Sequence, residues 1–198
     1  MRAPGHARYH RAVSAIDCVV PAAGRSERMG RWKPLLPFRG DTIVGTVVEA
    51  ALEACSRVIL VTGFRGDELA ARFAGTPRVL VVENPDWALG MFSSIQRGAA
   101  RVESARFFVN LGDMPFIDSA IYRALLNAPE ADFVFPVYGG MHGHPVLLNG
   151  RARAAVLAAD PTAGDMKEIA RRLSVVEVPW PDDAVLRDVD TPSDFPCA

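Results

Sequence analysis

Ile16-Asp-Cys-Val-Val-Pro-Ala-Ala23 runs directly into Gly24-Arg-Ser-Glu-Arg-Met-Gly-Arg-Trp-Lys33. An apolar run meets a small-residue, basic loop, and the rest of the chain is read outward from that junction. Near-continuous apolar character suits a strand covered on both faces. Arg57-Val-Ile-Leu-Val-Thr62, Arg78-Val-Leu-Val-Val-Glu83, Phe107-Phe-Val-Asn-Leu111 and Phe133-Val-Phe-Pro-Val137 repeat the pattern. Between the first two strands, Val44, Val47, Val48, Ala51, Leu52 and Cys55 form a helical stripe behind a candidate Asp41 N-cap. Further helices are expected over 66–74, 94–102, 117–127, 151–159 and 165–173. This alternation predicts a single three-layer α/β/α domain with a mainly parallel sheet. In such sheets ligands sit beyond the carboxyl ends of the strands.

No repeat or linker divides residues 16–198, which read as one domain. Residues 1–15 carry Arg2, Arg8 and Arg11 but no apolar signal-peptide core, and read as a disordered N-terminal extension. A chain of 198 residues can remove roughly 70% of its unfolded surface from water. The net charge of −1 argues against a surface built to hold nucleic acid through its phosphates. No stretch approaches the ~18 apolar residues of a membrane span. Cys18, Cys55 and Cys197 are odd in number and lack metal-binding spacing, so a reducing cytoplasm is expected.

The loop gathers Arg25, Arg28, Arg31 and Lys33 against Glu27 alone, and Lys33 is one of two lysines beside twenty arginines. Two readings stand: a solvated glycine turn, or a cradle in which backbone N–H groups and cations hold phosphate oxygens. GxGxxG is absent, and five residues rather than four separate Gly24 from Gly30, which excludes the Walker pattern.

Ala22-Ala-Gly-Arg-Ser-Glu-Arg-Met-Gly30 with Lys33-Pro-Leu-Leu-Pro-Phe-Arg-Gly40 closely resembles the signature of the MobA-like nucleotidyltransferases. The resemblance implies a Rossmann-like fold of the nucleotide-diphospho-sugar transferase type. It also implies a loop of Ala22, Ala23, Gly24 and Arg25 around a nucleoside triphosphate, with Arg28 and Lys33 on the phosphates. Val-Val-Pro-Ala-Ala-Gly is similar as well to the cytidylyltransferase of isoprenoid synthesis. Ala23 matches the cytidylyl branch, since the guanylyl branch carries glycine there, and implies CTP as donor.

Four later stretches extend the resemblance. Asn84-Pro-Asp-Trp-Ala-Leu-Gly90-Met-Phe-Ser-Ser94-Ile implies nucleobase contacts at Gly90 and Ser94, although Ser93 and Gln96 also fit a capping box. Gly112-Asp113-Met-Pro and Asp188-Val-Asp190-Thr-Pro match the family's acidic motifs. Asp113 is the first choice of Mg²⁺ ligand and Asp190 the second, a hard cation preferring oxygen ligands; Asp190 also suits the N-cap of a last short helix. Gly139-Gly-Met-His142-Gly-His144-Pro-Val resembles the acceptor border of the molybdenum cofactor cytidylyltransferase branch, which assigns Gly143 and His144 to the acceptor. A structural turn is the alternative, and zinc lacks a third ligand of suitable spacing. That branch continues Gly-Asp-x-Gly-Ala-Arg, whereas this chain has Gly164-Asp-Met-Lys-Glu-Ile169.

The resemblance therefore implies Mg²⁺-dependent transfer of CMP from CTP to a molybdopterin-type cofactor phosphate, with pyrophosphate released. Lys33, Arg28 and Asp113 would be catalytic, and a molybdoenzyme or its chaperone a transient partner. A sugar phosphate or isoprenoid-precursor phosphate as acceptor is the alternative within the same chemistry. A non-catalytic nucleotide-binding module is the alternative outside it.

Overall fold

The structure is a computed structural model describing residues 15–26, 30–191 and 194. The expected extension, except Ala15, lies outside them, as do Arg28 and Cys197. The chain runs β1 (Asp17–Pro21), β2 (Pro37–Phe38), β3 (Asp41–Thr42), α1 (Ile43–Leu52), β4 (Arg57–Thr62), α2 (Gly66–Phe73), β5 (Val79–Glu83) and α3 (Met91–Ala99). It continues through β6 (Arg106–Val109), α4 (Ser119–Leu126), β7 (Phe133–Tyr138), β8 (Met141–His142), β9 (Val146–Asn149), α5 (Gly150–Ala158), α6 (Met166–Ala170) and β10 (Val175–Pro179).

The main sheet has the order β5-β4-β1-β6-β9-β7-β10, with β8 added to β7. The pairs β1–β4, β4–β5, β1–β6 and β7–β10 are parallel. β9 runs antiparallel between β6 and β7. The central strand β1 is buried at every position, and its alternate side chains feed two cores, as the two-residue strand period requires. Cys18 and Val20 join Val44, Val48, Leu69 and Tyr122 on one face. Val19 joins Phe92, Ile95, Phe107 and Val156 on the other. These are the three layers expected from the sequence. Phe107, Phe108 and Phe133 are wholly buried, each contributing roughly 1.5–3 kcal/mol of transfer free energy.

Asp17 anchors the amino end of β1. Its buried carboxylate accepts from Arg57 Nε at 2.9 Å and from the Glu103 amide at 2.7 Å.

Two local expectations are corrected. Thr42, not Asp41, caps α1, its Oγ1 accepting from the Gly45 amide at 3.0 Å. Asp41 lies in β3 and takes Arg72 Nη2 at 2.7 Å. The Ser93–Gln96 capping box does not form, because α3 begins earlier, behind Gly90 at φ 112°. Ser93 is already helical, and its hydroxyl donates to the Gly90 carbonyl at 2.8 Å. Gln96 instead donates to the carbonyls of Val156 and Ala159, joining α3 to the end of α5.

Candidate nucleotide-binding site

The loops after β1, β5 and β6 leave the carboxyl edge of the sheet together and enclose a cleft of about 660 Å³. The start of the basic loop is strapped to both neighbours of β1. Ala22 donates its amide to the Val61 carbonyl at 2.8 Å, and the Phe64 amide reaches Ala23 at 3.0 Å. On the other side the Gly112 amide donates to the Pro21 carbonyl at 3.1 Å. Gly112 owes its identity to this approach, since a Cβ there would stand 2.9 Å from the Pro21 carbonyl oxygen and 3.0 Å from Ala22 Cβ. Gly63 plays the same part against Trp87, 2.5 Å from where its Cβ would be. Neither glycine was given a structural role from the sequence, because their reason is a contact across the sheet.

Ala22, Ala23, Gly24 and Arg25 line the cleft, as do Lys33, Gly90 and Ser94. The Arg25 guanidinium lies over Trp87, 4.9 Å from the ring centroid, joining the basic loop to the loop after β5. Ser26 Oγ accepts from the Lys33 amide at 3.2 Å. Buried Asn84 organises the opposite wall, its Nδ2 donating to Ser93 Oγ and Ser94 Oγ at 3.0 Å each. Ser94 thus presents a hydroxyl whose oxygen is already held, with its proton available to a ligand acceptor.

Charge concentrates at the β6 end of the cleft. Lys33 Nζ stands 2.7 Å from Asp113 Oδ2 and 2.7 Å from Asp190 Oδ1. The loops bearing these carboxylates are joined by the Val189 amide, which donates to the Asp113 carbonyl at 2.8 Å. Burial acts to lower the Lys33 pKa, but Asp113 and Asp190 outweigh it and hold the ammonium above the ordinary lysine value. Asp188 completes a triad with Asp113 and Asp190, one oxygen of each lying within 4.8 Å of the others. Burial first, then repulsion from Asp190 and Asp113, raises the Asp188 carboxyl above its ordinary value. Asp113 Oδ1 is buried without a hydrogen-bond partner. An orphaned carboxylate oxygen within three converging carboxylates fits a divalent cation, which takes oxygen ligands.

Asp188 was passed over in the sequence. Its signal was the Asp-x-Asp spacing, which in extended chain puts both side chains on one side. Asp194 Oδ2 accepts from the Asp190 and Thr191 amides, at 2.9 and 2.6 Å, while the alternative of Asp190 as N-cap falls on residues outside the described ones. Pro192, where the last helix was expected to begin, lies outside the described residues.

Gly143 and His144 are outside the lining of this cleft. The Gly143 amide donates to Pro136 and the His144 amide to Val185, both at 2.8 Å. This seats the β8 hairpin against the segment that carries Asp188 and Asp190. The His144 imidazole leaves Nδ1 buried without a partner, and burial lowers its pKa. His142 points elsewhere, stacking on Phe135 at 4.3 Å with Nε2 2.6 Å from Glu177 Oε1. The two histidines therefore form no pair.

Residues 18–177 match the MobA-like NTP transferase domain. The molybdenum cofactor cytidylyltransferase of Escherichia coli K12 is 35% identical over 183 residues, 92% of this chain and 95% of that protein. The crystal structure of Rv0371c from Mycobacterium tuberculosis H37Rv superposes with a TM-score of 0.78 at 29% identity, covering 91% of this chain and 96% of that one. Its complex with manganese gives 0.72 at 27% identity, with the same coverage. The architecture is that of nucleotidyltransferases of the nucleotide-diphospho-sugar transferase type. No helix among the described residues is long and apolar enough to cross a membrane. The chain belongs to the MobA-like NTP transferase family, whose members are nucleotidyltransferases.

Proposed function

We propose that the protein transfers CMP from CTP to the phosphate of a molybdopterin-type cofactor, releasing pyrophosphate, in the cytoplasm. Residues 16–198 form the transferase domain. The observation that carries this reading is the convergence, in one cleft, of Lys33, Asp113 and Asp190 at one end, with Asp188 beside those carboxylates, and of Ala23, Gly90 and Ser94 at the other. The E. coli relative supports the choice of CTP and of acceptor.

In this reading Ala22, Ala23, Gly24 and Arg25 wrap the triphosphate, with Arg28 and Lys33 on its phosphates. Ser94 donates to the base, and the Gly90 backbone bounds it. Asp113 and Asp190, joined by Asp188, would hold Mg²⁺. When bound, Mg²⁺ would neutralise triphosphate charge and orient the leaving group.

An acceptor phosphate oxygen forms a bond to the α-phosphorus while the bond from that phosphorus to the α–β bridging oxygen breaks. The electron pair leaves with pyrophosphate. The attacking phosphate is already ionised at neutral pH, so this chain's task is positioning and charge neutralisation, without a general base. Gly143 and His144 border the acceptor, and a transient contact with a molybdoenzyme or its chaperone would take the product on. The Gly164-Asp-Met-Lys departure favours testing a sugar phosphate and an isoprenoid-precursor phosphate alongside.

Pyrophosphate release by the purified protein, across a panel of triphosphates and acceptors, tests the proposal. Release that needs both CTP and the molybdopterin-type acceptor is expected. Release only with another phosphate changes the acceptor, and no release with any pair leaves a binding module.

A further inference from the structure

Lys33 stands where a cation on these carboxylates would have to stand. Its Nζ holds Asp113 Oδ2 and Asp190 Oδ1 at 2.7 Å each, and both belong to the acidic triad. A divalent cation at its usual oxygen distance of about 2.1 Å, sharing those oxygens, would lie within about 5 Å of the ammonium. Two positive charges that close, in a cleft where the Lys33 side chain is only 12% exposed, repel strongly. Asp113 Oδ1, beside the ammonium, is still without a hydrogen-bond partner.

The backbone at Lys33 is held at both its amide and its carbonyl, while its side chain is held only through the ammonium's bonds to Asp113 and Asp190. The Lys33 amide donates to Ser26 Oγ, and its carbonyl accepts from the Leu36 amide at 2.9 Å. The ammonium sits on a flexible four-carbon stem, unlike the rigid fork of an arginine that could grip a carboxylate through two bonds. Side-chain rotation alone can therefore carry the charge from the carboxylates into the cleft that Lys33 lines.

We infer that Lys33 is the resident counter-ion of the cation site in the nucleotide-free protein, and that a divalent cation displaces its ammonium from Asp113 and Asp190. The ammonium's destination, the triphosphate, rests on the proposed function; the exchange at the carboxylates does not.

Mn²⁺ is the probe, used without nucleotide. Lys33 and Lys167 are the two lysines of the chain, so acetic anhydride labelling read by mass spectrometry reports Lys33 with Lys167 as internal reference. Saturating Mn²⁺ should raise the Lys33 to Lys167 labelling ratio at least threefold. By paramagnetic resonance titration, Lys33→Met should bind Mn²⁺ at least tenfold tighter than wild type. An unchanged or lower labelling ratio, equal or weaker Mn²⁺ binding by folded Lys33→Met, or no Mn²⁺ binding by wild type overturns the inference. Should Lys33→Met fail to fold, wild-type labelling decides alone. Neither measurement contains CTP, so a protein without transferase activity would refute the proposed function and leave this exchange standing.

Discussion

At the residue scale, the reaction depends on where charge is fixed. Lys33 joins two carboxylates in the cleft, so Lys33→Ala should lower kcat/KM by about 10²–10³. With a divalent cation present it should melt within a few degrees of wild type. Turnover near wild type at saturating CTP would remove Lys33 from the phosphates. Asp113→Asn keeps the size of the side chain and loses its charge. Its half-saturating Mg²⁺ concentration should rise at least tenfold in a turnover assay, and an unchanged Mg²⁺ dependence would shift the role to Asp188 and Asp190. His144→Ala should raise the acceptor KM and leave CTP affinity within a factor of two, because His144 lies outside the cleft lining. Loss of CTP binding in a folded variant would put His144 on the donor side.

At the scale of elements, the strands position the chemistry and can be perturbed apart from it. Gly112→Ala would drive a methyl against the Pro21 carbonyl and Ala22 Cβ, displacing the loop after β1 from the loop after β6. CTP titration should show binding about tenfold weaker; unchanged affinity would mean that this close approach does not set the cleft. Asp17→Ala acts at the far end of β1. Losing the acceptor for Arg57 and the Glu103 amide should cost about 2 kcal/mol of stability in denaturant unfolding, with CTP affinity unchanged. Burial acts to raise the Asp17 pKa, but Arg57 and the amides of Glu103 and Ser104 outweigh it and hold the folded carboxyl below its ordinary value. Its stabilisation is therefore full above the ordinary carboxylate pKa and is lost as pH falls through the lowered folded value. Wild type should accordingly lose its advantage over Asp17→Ala in that acid window, and an advantage independent of pH would contradict the linkage.

The elements also mark how much was legible beforehand. β1, β4, β6 and β7 are short apolar runs buried among neighbours, β5 is a continuous apolar run at the sheet edge, and the apolar pattern alone found them. β10 escaped because Val175-Val-Glu-Val-Pro179 alternates exposed and half-buried positions at the sheet edge, so no continuous run announces it. The reversed direction of β9 escaped because its apolar pattern carries no polarity. Asp113 and Lys33 could be singled out through motifs, but their meeting at 2.7 Å across 80 residues belongs to the topology. Asp188 lay in the same Asp-x-Asp motif as Asp190 without being singled out, and only the folded chain brings all three carboxylates together.

At the scale of the whole molecule, a nearly neutral chain gathers its basic loop and its acidic triad at one edge of a buried sheet. That arrangement suits a small anionic substrate carried with a cation. The proposed nucleotide choice rests on Ala23, which lines the cleft; in that proposal its methyl leaves room for a pyrimidine where a purine would press on it. The most direct measurement is a competition: wild-type protein with equimolar CTP and GTP, Mg²⁺ and a molybdopterin-type acceptor, the products resolved by mass spectrometry and pyrophosphate counted. The expected result is a cytidylylated acceptor in excess of tenfold over the guanylylated one, with one pyrophosphate per product. A guanylylated product in equal or greater amount, or no product here while a sugar phosphate is converted, would contradict the assignment.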